Sequence, residues 1–157
     1  MLKLLENRKL WMIISVLYII VLFLFVVVKI YSPTGSLLFT RELIMENREK
    51  GYWNINLVPF ETIKSYFNLK YGINYINIVA NTFPFILLSF LLSLATNEKI
   101  RPLKVLFCCL GLIIFFEVFQ LVSCLGSFDV DDIIMNFFSC IVGVWIYLAM
   151  RHFSYKK

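Results

Sequence analysis

The sequence from Glu117 to Asn136 reads EVFQLVSCLGSFDVDDIIMN, and it decides how the rest of the chain is interpreted. It joins the end of one long apolar run to the start of another. It carries six carboxylate or amide side chains in a mostly apolar region: Glu117, Gln120, Asp129, Asp131, Asp132 and Asn136. Ionisable groups inside a membrane-length helix are costly, so their presence there is a hypothesis of function. The stretch therefore predicts a polar site held by membrane-spanning helices.

The composition excludes an ordinary soluble domain. Of the 157 residues, 61% are hydrophobic and only 16% are charged, whereas about a quarter are charged in a typical soluble domain. The length fits a single domain over residues 1–157. The net charge of +5 comes from basic residues placed between the apolar runs, with no separate basic stripe, so nucleic acid is not expected as a partner.

Four apolar runs are long enough to cross the roughly 30 Å hydrocarbon core of a bilayer. They cover residues 11–30, 76–94, 103–125 and 132–150. The first run is too long for the apolar region of a cleaved signal peptide, and it does not end in a small-residue cleavage site. The sequence therefore predicts an all-α membrane protein with four transmembrane helices.

The long connection between the first two runs is expected to carry two short interfacial helices. Residues 36–50 mix apolar and charged side chains and stop at Gly51, which is typical of an amphipathic helix with a glycine cap. Pro59, followed by Glu61, predicts the first position of a second short helix. Tyr66 is assigned to the membrane-facing side of that second helix.

The distribution of basic residues predicts the orientation. Nine Lys or Arg and two acidic residues lie in the N-terminal segment, the turn near residue 100 and the C-terminal tail. The long connection and the acidic turn together hold six Lys or Arg and seven acidic residues. The positive-inside rule then places both termini in the cytoplasm and the long connection outside. The chain is therefore expected to be a multi-pass membrane protein.

Polar side chains from three predicted spans fall at a similar depth. At 1.5 Å per residue, Glu117 lies about 12 Å, Asn81 about 10 Å and Asn136 about 6 Å inside the outer boundary. The polar residues of each span are also spaced to share one helix face: Asn77 with Asn81, Glu117 with Gln120, and Asp132 with Asn136. We therefore expect one polar pocket that opens to the outside.

Two interpretations of this pocket remain open. In the functional one, Glu117, Asp129 and Asp132 are the catalytic groups, with Glu117 transferring a proton or contacting a ligand. Five further residues then bind substrate: Gln120, Asn136, Asn81, Asn77 and Asp131. In the structural one, the amides and a protonated Glu117 only hold helices together, at roughly 0.6 kcal/mol per hydrogen bond on average.

The sequence does not predict a bound cofactor. His152 is the only histidine and lies in the C-terminal tail, so a histidine-based zinc site is not available near the acidic turn. The oxygen ligands of the Asp cluster would suit a divalent cation such as Mg²⁺. Whether a metal binds there is left open.

In their order along the chain, the polar motifs resemble those of VanZ-like proteins, which are small bacterial membrane proteins. The resemblance covers residues 53–146 and rests on NLVPF at 56–60, Asn77-x-x-x-Asn81, Glu117-x-x-Gln120, and Asp129-x-Asp131-Asp132 followed by Asn136. It implies a protein of the bacterial inner membrane with a link to cell-envelope biology or to low-level resistance to teicoplanin-type glycopeptides. The implied partners are the lipid bilayer and a lipid-linked wall precursor or lipophilic glycopeptide.

The chain departs from the family pattern at three points. Pro84 comes earlier than the family's proline, with Ser89 at the usual glycine position. Ser127 follows the turn glycine in place of arginine, and Ser139 replaces a common glycine. The missing arginine removes a partner for a phosphate group. Four basic residues of the long connection could take its place: Arg41, Arg48, Lys64 and Lys70. Two non-enzymatic alternatives are a membrane scaffold or partner subunit, and a transporter that would have to oligomerise.

Overall fold

The computed structural model describes residues 7–28, 34–67, 75–96 and 101–155, and this part of the chain is mostly helical. Its helices are α1 Arg8–Val26, α2 Thr34–Glu49, α3 Glu61–Tyr66, α4 Tyr75–Thr96, α5 Pro102–Ser123 and α6 Val130–Tyr155. Two strands of two residues each complete it, β1 Ile55–Asn56 and β2 Phe128–Asp129. The long helices coincide with the four apolar runs to within a few residues at each end, except that α6 continues further into the basic tail.

Three of these helices have the length and hydropathy of membrane spans. They are α1, α5 and most of α6, and few of their side chains are buried inside the protein. In α4, the segment Asn81–Thr96 is an apolar helix of shorter length. A mostly helical membrane protein is therefore confirmed, while a fourth span through α4 and an outward position of the connection stay predictions.

Helix α4 lies at the centre of the bundle. It packs most extensively against α6, and it also contacts α1 and α5. The core between these helices contains Phe85, Leu88, Ile113 and Phe116, all almost fully buried. Burial of such side chains fixes the relative positions of α4, α5 and α6, and those positions determine which polar groups meet.

The contact between α4 and α6 depends on small residues. A Cβ atom at Gly143 on α6 would collide with the Ser89 hydroxyl and with the backbone carbonyl of Ile86 on α4. Nearby, the Cys140 thiol donates to the carbonyl of Phe85 over 3.5 Å. Small side chains let helix backbones approach closely within a membrane, where van der Waals packing drives helix association.

The connection between α1 and α4 contains both short helices that the sequence predicts. Helix α2 is followed by Gly51 with φ +88°, a conformation that favours glycine, so the glycine cap is confirmed. The start of α3 was predicted wrongly, because the helix begins at Glu61 rather than at Pro59. Phe60 precedes it in a left-handed conformation with φ 67°, which breaks the helical path after the proline.

The connection is tied to the end of α5 and to the acidic turn. Strands β1 and β2 pair in parallel, with Ile55 opposite Phe128 and Asn56 opposite Asp129. Asn54 donates through its side chain to the carbonyl of Gly126, and Arg48 donates to the carbonyl of Leu121 at the end of α5. These bonds bring the polar residues of the connection next to the carboxylates that follow α5.

Candidate functional site

The four carboxylates Glu117, Asp129, Asp131 and Asp132 form one group at the junction of α5, β2 and α6, here called the acidic cluster. Glu117 lies in the second half of α5 and is only 2% exposed. Its Oε2 accepts a hydrogen bond of 3.1 Å from the backbone amide of Asp129. The carboxylate on the third apolar run therefore faces the acidic turn inside the protein and not the lipid.

Asp129 joins the acidic turn to the connection. Its Oδ2 accepts from the Thr62 hydroxyl at 2.6 Å and from the side-chain amide of Asn56 at 3.3 Å. Its Oδ1 accepts from the backbone amide of Asp131 at 2.8 Å. Because β1 and β2 pair in parallel, Asn56 and Asp129 lie opposite each other, and the strand pairing sets the contact between their side chains.

Asp131 binds the N-terminus of α3. Its side chain is fully buried, with Oδ1 accepting from the Phe60 amide at 2.6 Å and Oδ2 from the Ile63 amide at 3.1 Å. A carboxylate at this end of a helix is favoured because the first backbone amides have no partner within the helix. Both oxygens of Asp131 are thus occupied by the chain itself.

Asp132 lies on the more open side of the cluster. The side-chain amide of Asn81 on α4 donates to its Oδ1 over 2.9 Å, and all three of Asp132, Asn81 and Tyr66 are partly exposed. Burial, followed by the negative charges of Asp132 and Asp129, raises the pKa of Tyr66 from 10 to about 12. Tyr66 therefore carries a neutral phenol beside the carboxylates, and Asn81 hydrogen bonds to it.

Asn136 and Gln120 are both buried but have different surroundings. Asn136, on α6, is 2% exposed, and its Oδ1 has no hydrogen-bond partner in the described part of the chain. Gln120 donates through Nε2 to the carbonyl of Val26 at the end of α1, over 3.3 Å. Its Oε1 occupies the space that a Cβ atom at Gly126 would need.

The structure thus brings together side chains from α3, α4, α5 and α6, and from the two strands. Four of the predicted site residues lie at the same end of the bundle and form the hydrogen bonds given above: Glu117, Asp129, Asp132 and Asn81. Gln120 connects α5 to α1 instead. The side chain of Asn77 lies outside the described residues.

Three residues of the connection lie at the acidic cluster but were not predicted as site residues. Thr62 and Asn56 bind Asp129, and Tyr66 lies near Asp132 and Asn81, not on a membrane-facing side. Asn56 had appeared only within the motif at 56–60. All three have a polar or phenolic side chain and lie in a connection too long for a simple loop. The length of the connection is the feature of the sequence that could have drawn attention to them.

The acidic cluster does not have the geometry of a metal site. Among the residues that the structure describes, no three His, Cys, Asp or Glu side chains converge in a way that would hold a metal ion. The reason lies in the hydrogen bonds, because Asp129, Asp131 and Asp132 each point to a different partner of the chain. A divalent cation at the Asp cluster would therefore have no set of three converging side-chain ligands among the described residues.

Comparison with known proteins supplies the family. A family model described as VanZ/LLP1 matches residues 15–151, which include α4, α5, the acidic cluster and most of α1 and α6. No curated protein and no solved structure shows significant similarity to the chain. The match covers most of the sequence, and on this basis the chain belongs to the VanZ/LLP1 family.

Proposed function

We propose that the chain is a cell-envelope protein whose acidic cluster binds or modifies the polar part of a membrane-embedded substrate at the outer leaflet. The substrate class is a lipid-linked wall precursor or a lipophilic glycopeptide of the teicoplanin type. The inner membrane, with both termini in the cytoplasm, is the location that this function requires. The observation that carries the proposal is the meeting of Asp132, Asn81 and Tyr66 at a partly exposed point of the acidic cluster.

The chemistry of the cluster favours a ligand rich in hydroxyl or amino groups. Carboxylates accept hydrogen bonds from such groups, while the neutral phenol of Tyr66 and the amide of Asn136 offer further polar atoms. The four carboxylates disfavour the approach of a phosphate, because like charges repel at close range. The sugar or amino portion of the substrate therefore suits this site better than its phosphate portion.

The proposed roles follow from exposure and bonding. Asp132 is the first carboxylate that a ligand would meet, with Asn81 and Tyr66 orienting it. Glu117 and Asn136 lie deeper, where a proton-transfer group is shielded from water. Asp129 and Asp131 hold the connection in place, since their oxygens accept bonds from Thr62, from Asn56 or from backbone amides.

Binding to the purified full-length chain tests the proposal. Asp132→Asn is expected to weaken binding of a lipid-linked wall precursor or of teicoplanin by at least about tenfold, because a hydrogen bond to a charged group contributes about 1.5–3 kcal/mol. Glu42→Gln on α2 is the matched control, since it removes one exposed carboxylate outside the cluster. Failure of both compounds to bind the wild-type chain, or equal weakening by Glu42→Gln, would contradict it.

A membrane scaffold is the second candidate, and one observation favours it. Both carboxylate oxygens of Asp131 and of Asp129 accept hydrogen bonds from the chain itself, as expected of structural residues. The variant Glu117→Gln separates the two, because glutamine still accepts the bond from the Asp129 amide but cannot transfer a proton. A scaffold keeps its teicoplanin-resistance phenotype with Glu117→Gln at equal membrane abundance, whereas the proposed site loses it.

A further inference from the structure

A cavity of about 210 Å³ lies at the other end of the bundle from the acidic cluster. It is bounded by the last turns of α4, the first turn of α5 and the last third of α6. At 1.5 Å per residue, Thr96 in this cavity lies about 22 Å beyond Asn81 along α4. The cavity is therefore separate from the site of the proposed function and needs its own explanation.

Two arginines line this cavity, here called the basic-end cavity. Arg101 comes directly before the first residue of α5, and Arg151 lies near the end of α6. No carboxylate is among the described residues that line it, which are Ser93, Thr96, Arg101, Pro102, Val105, Val144, Tyr147, Leu148 and Arg151. The N-terminus of α5 adds partial positive charge from its free amides. The cavity is thus electropositive.

The position of Arg151 is fixed by an aromatic ring. Its guanidinium lies 5.8 Å from the ring centroid of Tyr147, and its Nη1 donates to the tyrosine hydroxyl over 3.4 Å. Arg101 is exposed, and no aromatic ring supports it in the described part of the chain. One guanidinium held by a ring and one exposed guanidinium line the same space, and together they can bind the oxygens of a phosphate, which arginine matches with its planar fork of donors.

We propose that the basic-end cavity binds the headgroup phosphate of an anionic membrane phospholipid. The apolar side of the cavity, with Val105 and Val144 buried and Leu148 exposed beside them, suits the glycerol and upper acyl chain rather than a free ion. The cavity also lies at the ends of apolar helices, where headgroups are found. Basic pockets between membrane helices on the positively charged side bind anionic headgroups in this way.

Native mass spectrometry of the full-length chain in detergent tests this proposal. Phosphatidylglycerol is added to the wild type, and phosphatidylcholine serves as the zwitterionic comparison. Arg101→Gln and Arg151→Gln are each expected to lower retained phosphatidylglycerol roughly fivefold, the change that one basic group near an anionic lipid produces. Lys104→Gln is the matched control, because Lys104 lies on the same first turn of α5, is exposed and does not line the cavity.

Retention of phosphatidylglycerol that depends on both arginines but not on Lys104 supports the site. Equal retention of the two lipids, or an equal loss with Lys104→Gln, overturns it, because the effect would then be general surface charge. Inorganic phosphate is the second arm, and full displacement of the lipid by millimolar phosphate would show a soluble-anion site instead. Arg101→Gln changes an exposed side chain at a helix start, so this variant keeps the test valid even if Arg151→Gln impairs folding.

Discussion

The environment of Tyr66 shows how single residues define the acidic cluster. The phenol lies on a helix of only six residues, yet it is half-buried beside Asp132 and Asn81 because α3 is held by the carboxylate of Asp131. Three contacts therefore follow from one another: Asp131 positions α3, α3 positions Tyr66, and Tyr66 lies near the more exposed carboxylate of Asp132. Loss of the buried Asp131 carboxylate would leave two backbone amides without acceptors.

The pKa of Tyr66 gives a pH-dependent prediction. The unfolded chain releases this proton near pH 10 and the folded chain only near 12, so the free energy of unfolding falls as the pH rises through this window. Asp132→Asn is expected to lower the pKa of Tyr66 from about 12, while burial, the largest cause, still keeps it above 10. Phenolate absorbance, taken as the difference from Tyr66→Phe, measures this pKa.

Glu61→Gln is the control for that titration. Glu61 lies on the same short helix but does not contribute to the pKa of Tyr66. The titration curve should therefore stay unchanged in this variant. A pKa of Tyr66 near 10 in the wild type would mean that the phenol faces water, and it would remove Tyr66 from the site.

At the scale of elements, the close contact between α4 and α6 aligns the polar residues of the two helices. Gly143, Ser89 and Cys140 allow the approach, and the same alignment brings Asn81 within 2.9 Å of Asp132 several turns away. A change in the small-residue contact is transmitted along two stiff helices, since packed interiors transmit strain. The polar site thus depends on a contact in the apolar middle of the bundle.

Substitution of Gly143 tests this dependence. Gly143→Ala should destabilise the chain by about 1–3 kcal/mol, because the new methyl group meets the carbonyl of Ile86, and the backbone has to shift. Gly111→Ala on α5 is the matched control, since a Cβ atom there meets nothing within 4 Å. Thermal unfolding in detergent compares them, and equal melting temperatures for the two variants would contradict the close packing.

At the scale of the whole molecule, the number of membrane crossings decides which side each site faces. Helix α4 has 22 residues, which at 1.5 Å per residue is about 33 Å and enough to cross the hydrocarbon core. With α4 as a span, the chain crosses four times and both termini lie on one side. The acidic cluster and the basic-end cavity then face opposite sides of the membrane.

Reporter fusions to the two ends of the chain measure this topology. We expect a cytoplasm-active reporter to work at both termini, and a periplasm-active reporter to work when inserted after Gly51 in the connection. The positive-inside distribution of Lys and Arg is the physical reason. Termini on opposite sides would show three crossings and would place the acidic cluster differently from the proposed function.

The sequence by itself determined the helices and the polar residues that matter. Apolar runs of membrane length predict helices because a bilayer leaves the backbone no other partner for its hydrogen bonds. The same physics marked Glu117 and the Asp residues, since charge in such a setting is rare. Counting residues along each helix also predicted that Asn81, Asn136 and Glu117 would lie in one layer.

Only the tertiary structure decided what these residues touch. Three features join segments more than 60 residues apart: the pairing of β1 with β2, the bonds from Asp131 to the start of α3, and the position of Tyr66 near Asp132. Such contacts are set by packing of the whole chain and by the demand that buried polar groups be satisfied, which no local pattern records. For the same reason, the sequence could not show that Asp131 holds a helix, or that two distant arginines share one cavity.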